Sequence, residues 1–494
     1  MSETSEHVAG AVLSGEPREG AAQPGLRRNA IGLSEVLFQS ITSMAPATAV
    51  TAALTPAIPY TGASLPLAVL LATVASTLVA ANIGQLAIHI PSAGGLYTYI
   101  SRGLGARLGF LAGWIFLLAQ PLLLPFIGLV WGTVSESLLA DLTGLHLPWY
   151  VWVLIGNGLL LLLTYFGIKL SADASLVLGL IEVGVLLALS LTMIITAGDH
   201  NDLTTFTPAF TADRGLGGWL GIGQGMVFAF LAFLGFEAAA PLAEESEQPR
   251  RTIPRAVIFS ALGIGLFYVL AAYAGVIGWG PAQLDSYVTA SNPWVVLGAR
   301  YWGVAGPVIL SLAVINSSLG NGNAGINATT RVVYALARAG ALPSFLGHLS
   351  RHRTPSVAIA FHVALATLVS LATGFLFGVS TAFSLLGTVL TLGFLLLYIA
   401  ACLAAAAFYF RERRREFGFW RHVVLSLVPT IILFFPLAVQ VYPLPAYPLN
   451  LALPILVLWI VLGVIYLGFL QWRHPKALER GKAIFLEEEE EVAV

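Results

Sequence analysis

Long apolar runs with almost no charge recur along this chain, and they dictate what it can fold into. A helix rises about 1.5 Å per residue, so about 18 to 20 apolar residues cross the hydrocarbon core of a bilayer. Twelve such runs are read, at 34–57, 65–89, 108–138, 149–167, 172–197, 218–241, 256–279, 303–336, 356–377, 381–410, 422–441 and 450–471. Charged residues make up only 10% of the chain, whereas a soluble domain carries about a quarter. So little charge cannot cover a water-facing surface, and lipid is the solvent for most of the sequence. A membrane β-barrel would show shorter segments of alternating polarity. The expected fold is therefore an all-α membrane protein of about twelve transmembrane helices. It forms one membrane domain over 33–475, between a disordered tail at 1–32 and an acidic tail at 476–494 that holds Glu487 to Glu491.

Lys and Arg placement sets the orientation. With the N-terminus inside, one face collects Arg27, Arg28, Arg102, Arg107, Lys169, Arg250, Arg251, Arg255, Arg331 and Arg338. The same face carries Arg351, Arg353, Arg411, Arg413 to Arg415, Arg421, Arg473, Lys476, Arg480 and Lys482, and the other only Arg214 and Arg300. This asymmetry predicts a multi-pass protein of the cytoplasmic membrane with both termini cytoplasmic. Cys402, the only cysteine, lies in an apolar run, so no internal disulfide can form.

Two of the runs are interrupted. The first contains Gln39 to Thr48, a polar stretch with Pro46, and Pro56 and Pro59 follow. Proline removes a backbone donor and clashes with the preceding turn, so it frees carbonyls that must find partners in protein or in a water-filled cavity. The sixth run contains Ala232 to Pro241, where Gly235 gives backbone freedom and Glu237 sets a carboxyl at membrane depth. Each could be an ordinary proline kink. Paired five spans apart, they match the plan of transporters whose repeats each begin with a discontinuous helix around a midplane site.

Glu182 lies mid-span between Ile181 and Val183. A lone charged carboxyl costs at least a few kcal/mol there, so it is expected to be neutral, paired or ion-bound. The eighth run is polar, with Asn316, Ser317, Ser318, Asn321, Asn323, Asn327, Thr329 and Thr330. Hydroxyl oxygens suit a hard cation, which makes Ser317 and Ser318 a possible cation site; packing and hydrogen bonding between helices is the better explanation of such residues. His348 and His352 have the spacing of a metal pair, but Leu349 stands where a zinc protease needs its glutamate, and they read as loop surface. No phosphate-binding loop is present. Neither an enzyme nor an ATP-driven pump is expected, and no cofactor, metal or nucleic acid is called for.

The segment from Pro91 to Tyr99, with Gly105 and Gly109-Phe-Leu-Ala-Gly-Trp114, resembles the stretch after the second helix of amino acid–polyamine–organocation permeases. Phe233-Leu-Gly-Phe-Glu237, continuing through Glu244, Glu245 and Ile253-Pro-Arg255, is similar to their sixth helix and the loop after it. Arg331 to Arg338 and Gly340 to Pro343 resemble the end of their eighth. The resemblance covers roughly residues 30 to 475. It implies a leucine-transporter-like core of two five-helix inverted repeats, over 33–198 and 218–411, with two peripheral helices at 420–472. It also implies alternating access, with substrate held at Ile41, Ser43, Met44 and Ala45 of the first break and Ala232, Phe233, Leu234 and Gly235 of the second. Many relatives have Gly-Ser-Gly at the first break, where this chain has Ser43-Met44-Ala45. Glu182 falls near the place where several relatives carry a lysine that substitutes for sodium, so it is expected to couple transport to protons. Glu237 is expected to brace or re-form the second break, and Phe233 to gate the site. The expected function is secondary active transport of an amino acid, with a polyamine or other amine as alternative substrate, a proton or Na⁺ as coupling ion and exchange as an alternative mode; a channel or a membrane sensor is the non-transporter alternative. The partners are that small molecule and the lipid bilayer; the sequence does not specify an oligomeric state.

Overall fold

The computed structural model of the chain describes residues 26–211, 215–290, 292–338, 340–441 and 447–473. Its long helices are α1 (Leu33–Ser43), α2 (Leu65–His89), α3 (Ala106–Ala119), α4 (Leu123–Thr143), α5 (Trp149–Tyr165), α6 (Ile168–Ala197) and α7 (Trp219–Phe233). They continue as α8 (Pro249–Trp279), α9 (Ala305–Arg338), α10 (Ser356–Phe377), α11 (Val379–Arg411), α12 (Leu425–Val441) and α13 (Ala452–Arg473). No named strand occurs among the described residues. The protein is an all-α membrane protein.

Among the described residues, ten helical stretches are long and apolar enough to cross a membrane by length and composition. Two of the twelve expected spans are not among them. The apolar α5 is only 17 residues long. The other, α9, has 34 residues but carries four asparagines and several hydroxyls, most of them buried against protein. Lipid therefore never meets that polar face, and its low hydropathy reflects an interior position.

The two interrupted stretches, together with α11, are the most enclosed, and the stretch holding α13 is the least. Helices α2 and α8 pack along their length. Gly265 permits this contact: a Cβ there would lie 2.3 Å from the Thr73 side chain. The Thr73 hydroxyl donates to the Gly265 carbonyl at 3.3 Å. Such close backbone approach at small residues is how helices associate where lipid removes the hydrophobic driving force.

The arginine-rich end differs from the sequence expectation in two places. Arg331, counted from sequence among the cations of the cytoplasmic face, lies inside α9 and is fully buried. Its guanidinium faces Glu245, with Nε 2.9 Å from Oε2 and Nη2 3.4 Å from Oε1, and Nη1 donates to Asn327 Oδ1 at 3.0 Å. The tail expected over 1–32 also ends earlier. Leu26 and Ile31 are buried, Arg27 to Asn29 between them are exposed, and the N–H of Ala30 donates to Glu245 O at 2.8 Å while that of Glu247 donates to Ile31 O at 2.9 Å. The rest of that tail, the acidic tail with Glu487 to Glu491, and Arg214 lie outside the described residues. Further pairs bind the same end: Lys169 to Glu35 at 2.7 Å, Arg338 to Glu244 at 3.2 Å and Arg102 to Glu412 at 3.1 Å.

Removing one partner of a buried ion pair strands the other, which costs about 3–5 kcal/mol, whereas replacing both with apolar groups is often near neutral. Arg331→Met should therefore lower the thermal unfolding midpoint of the detergent-purified protein sharply. Arg331→Met combined with Glu245→Leu should recover most of that loss in the same measurement.

Candidate functional site

The first break forms where Pro46 cannot continue α1. Helix α1 ends at Ser43, Ala45 adopts a left-handed conformation (φ 46°, ψ 62°), and Pro46 opens the next helical turn at its N-terminus. Proline fits there because its missing N–H is one the first turn would leave unpaired anyway. The carbonyls freed at the break are met by side chains from other helices. Asn321 Nδ2 of α9 donates to Ser43 O, and the Tyr268 hydroxyl of α8 donates to Met44 O at 2.8 Å. Just past the break, the Ala47 N–H donates to Glu182 Oε2 at 3.4 Å and the Thr48 N–H donates to Ser317 Oγ at 3.2 Å. The Thr48 and Ser318 hydroxyls are 3.1 Å apart. Glu182, Ser317 and Ser318 thus converge on one turn of the first broken helix, and all three are fully buried.

The second break is built on Gly235. Helix α7 ends at Phe233, Leu234 is extended, and Gly235 takes φ 119°, a left-handed value that glycine reaches without a Cβ clash. A 3₁₀ helix from Phe236 to Glu245 follows, with Pro241 inside it. Glu237 turns back on the break: its Oε2 accepts from the Gly235 N–H at 3.2 Å and from the Tyr398 hydroxyl of α11 at 2.6 Å. The Ser40 hydroxyl ties the two breaks together, donating to Phe236 O at 2.7 Å and accepting from the Ala239 N–H at 3.1 Å. The contact is closest at Gly235, where an added Cβ would lie 2.5 Å from Ser43 O.

A cavity of about 20 Å³ lies between the breaks. Of the expected substrate residues, Met44, Ala45, Ala232 and Leu234 line it, while Ile41, Ser43, Phe233 and Gly235 belong to the broken segments without forming its wall. The Phe233 ring is fully buried and meets Tyr268 edge-on at 5.3 Å between centroids. The aromatic pair on the cavity wall is instead Phe126 of α4 with Phe383 of α11, stacked at 4.3 Å. Sequence reasoning did not single out either ring, nor Tyr268 and Tyr398. Aromatic residues in apolar runs carry no signal that separates a site wall from packing. Asn321 was noted only as part of a polar helix, although it also lines the cavity. Among the described residues, no three His, Cys, Asp or Glu side chains are grouped to hold a metal.

The family model for amino acid permeases matches residues 35–479. The chain belongs to the amino acid permease family. Its members are transporters and not enzymes. It is 28% identical over 365 residues to the uncharacterised amino acid permease YecA of Bacillus subtilis, covering 73% of this chain and 80% of that protein. It is 28% identical over 316 residues to the branched-chain amino acid permease BcaP of Lactococcus lactis, covering 60% and 66%. A third relative is the low-affinity putrescine importer PlaP of Escherichia coli, 25% identical over 364 residues and covering 72% and 76%.

Because the added methyl group would meet backbone rather than a yielding side chain, Gly235→Ala should push the two breaks apart, costing about 1–3 kcal/mol as overpacking does. The expected outcome is at least a tenfold loss of substrate uptake at unchanged membrane abundance, checked by uptake assays alongside quantified membrane fractions.

Proposed function

We propose that this permease is a secondary active transporter that carries an amino acid across the cytoplasmic membrane by alternating access, driven by a proton gradient. The observation that carries the reading is Glu182. Its carboxyl is buried in α6 and receives the Ala47 N–H, one turn from the substrate segment, beside the Ser317 hydroxyl. Its other oxygen, Oε1, has no partner among the described residues. An ionised carboxylate held this way lacks the donors that would offset its desolvation. In this closed arrangement Oε1 is buried, and opening of the break would bring it to water, where a proton can be exchanged. Proton release is thereby tied to a change at the segment that holds substrate.

The close packing of α2 on α8, one span after each break, supports two related halves that can move against each other. The buried Arg331–Glu245 pair and its neighbours act as the closed inner gate, and the arginine-rich face is cytoplasmic by the positive-inside rule. Both termini then lie inside. An amino acid is preferred as substrate because relatives named for branched-chain amino acids and for asparagine are among those matched. PlaP, named for putrescine, keeps an amine as the alternative. A sodium-coupled mode is the second reading. It is favoured by the convergence of Glu182 with the Ser317 and Ser318 hydroxyls on Ala47 and Thr48, which places several oxygens within one turn.

The test is uptake of labelled amino acids and amines into proteoliposomes under an imposed proton or sodium gradient. Accumulation driven by the proton gradient is expected, and accumulation that follows only sodium would replace that mode with the second reading. In the same vesicles Glu182→Gln should abolish pH-driven accumulation while leaving exchange of substrate at equal pH. Full pH-driven accumulation in that variant would remove Glu182 as the coupling group.

A further inference from the structure

From the lining of the cavity between the breaks we infer that the permease selects an amino acid whose side chain is apolar and uncharged, and that the carbonyl oxygen of Asn321 receives the substrate's ammonium group. The inference rests on the reading that substrate binds between the breaks, and it concerns binding alone, not coupling.

The wall has one composition throughout. The broken helices contribute Met44 and Leu234, α4 contributes Leu123 and Phe126, and α11 contributes Phe383 and Leu390. No charged residue lines the cavity, and only Asn321 and Thr48 offer polar side chains. The Thr48 hydroxyl is already committed, lying 3.1 Å from Ser318 Oγ and 3.4 Å from Val314 O. Asn321 is different. Its amide nitrogen must face Ser43 O, because a carbonyl can only accept. The orientation of the amide is therefore forced, and Oδ1 points the other way. That oxygen has no hydrogen-bond partner among the described residues, in a side chain that is 2% exposed. A buried acceptor left open on the wall of a cavity calls for a donor from the occupant. The ammonium of an amino acid supplies one.

The same wall rejects a second charge. Two buried carboxylates stand beside the breaks. Glu182 is bonded to the Ala47 N–H and Glu237 to Tyr398 and Gly235, and neither lines the space. The side-chain ammonium of lysine, or the second amine of a diamine, would lose its water against Leu, Phe and Met with no counter-charge. An amide side chain would lose its hydrogen bonds in the same place. A branched or straight hydrocarbon loses nothing and gains contact with every part of the wall. The present cavity has room for about one water molecule. Admitting an amino acid thus requires the breaks to separate from α4 and α11, and the residues above are the ones that would then enclose its side chain.

Equilibrium binding of labelled L-leucine to the purified full-length protein in detergent tests this, with unlabelled competitors. L-Isoleucine and L-valine should displace leucine at concentrations similar to leucine itself, whereas L-asparagine, L-lysine and putrescine should need at least tenfold more. Asn321→Leu should weaken leucine binding at least tenfold. Leu123→Ala, which enlarges the wall without touching either break, should shift preference from leucine toward L-phenylalanine at least threefold and so tests the wall even where Asn321→Leu fails to fold. Absence of leucine binding, or displacement by asparagine, lysine or putrescine as effective as by isoleucine, would overturn the inference. Intact selective binding in a protein that accumulates nothing under any gradient would count against the coupling proposal and leave this one standing.

Discussion

Inside a bilayer no water is available to a backbone group that loses its helical partner, and each such group costs several kcal/mol if left bare. Two helices of this permease are nonetheless broken near their middles, and the arrangement around them follows from that debt. The carbonyls of Ser43 and Met44 are taken up by Asn321 and Tyr268, the amides of Ala47 and Thr48 by Glu182 and Ser317, and the amide of Gly235 by Glu237. Asn321 and Ser317 of α9 and the two buried glutamates are in this sense the complement of the breaks. The other asparagines of α9 serve its packing on α6: Asn316 donates to Leu178 O, and Asn323 and Asn327 bond to Ser171.

The same logic extends to the arginine-rich end. A fully buried Arg331 is admissible only because Glu245 and Asn327 together satisfy its guanidinium. Glu245 also presents its carbonyl to the N–H of Ala30, so the segment ahead of α1, the 3₁₀ helix after the second break and α9 meet at one residue. Mechanical coupling between the broken helices and the rest of the molecule runs through such shared partners: Ser40 at the middle and Glu245 at the end.

Much of this was legible in the residues. Pro46 and Gly235 announce the breaks because two helix-disrupting residues inside apolar runs five spans apart match a paired plan better than two separate kinks, and the structure interrupts the helices at both. Four of the eight expected substrate residues line the cavity. What could not be read was partnership. Charge placement counts Arg331 among the cations of the cytoplasmic face, because nothing in its own segment reveals that Glu245, from a different segment, neutralises it. The run at α9 reads as a span, but nothing in it shows that its polarity is matched by groups from α1 and α6. Phe126, Phe383 and Tyr398 sit in runs whose composition is the same whether a side chain meets lipid, protein or substrate.

The contact between Gly235 and the Ser43 carbonyl leaves no room for even a methyl group. Chemical diversity therefore cannot arise at the crossing of the two breaks, which is built from backbone and tolerates only the smallest residue. It has to arise on the surrounding helices, where a change at Leu123 or Phe383 alters the shape of the chamber without disturbing the crossing. If substrate is held between the breaks as proposed, the parts that open and close are written in the main chain, and the choice of passenger in a handful of exchangeable side chains.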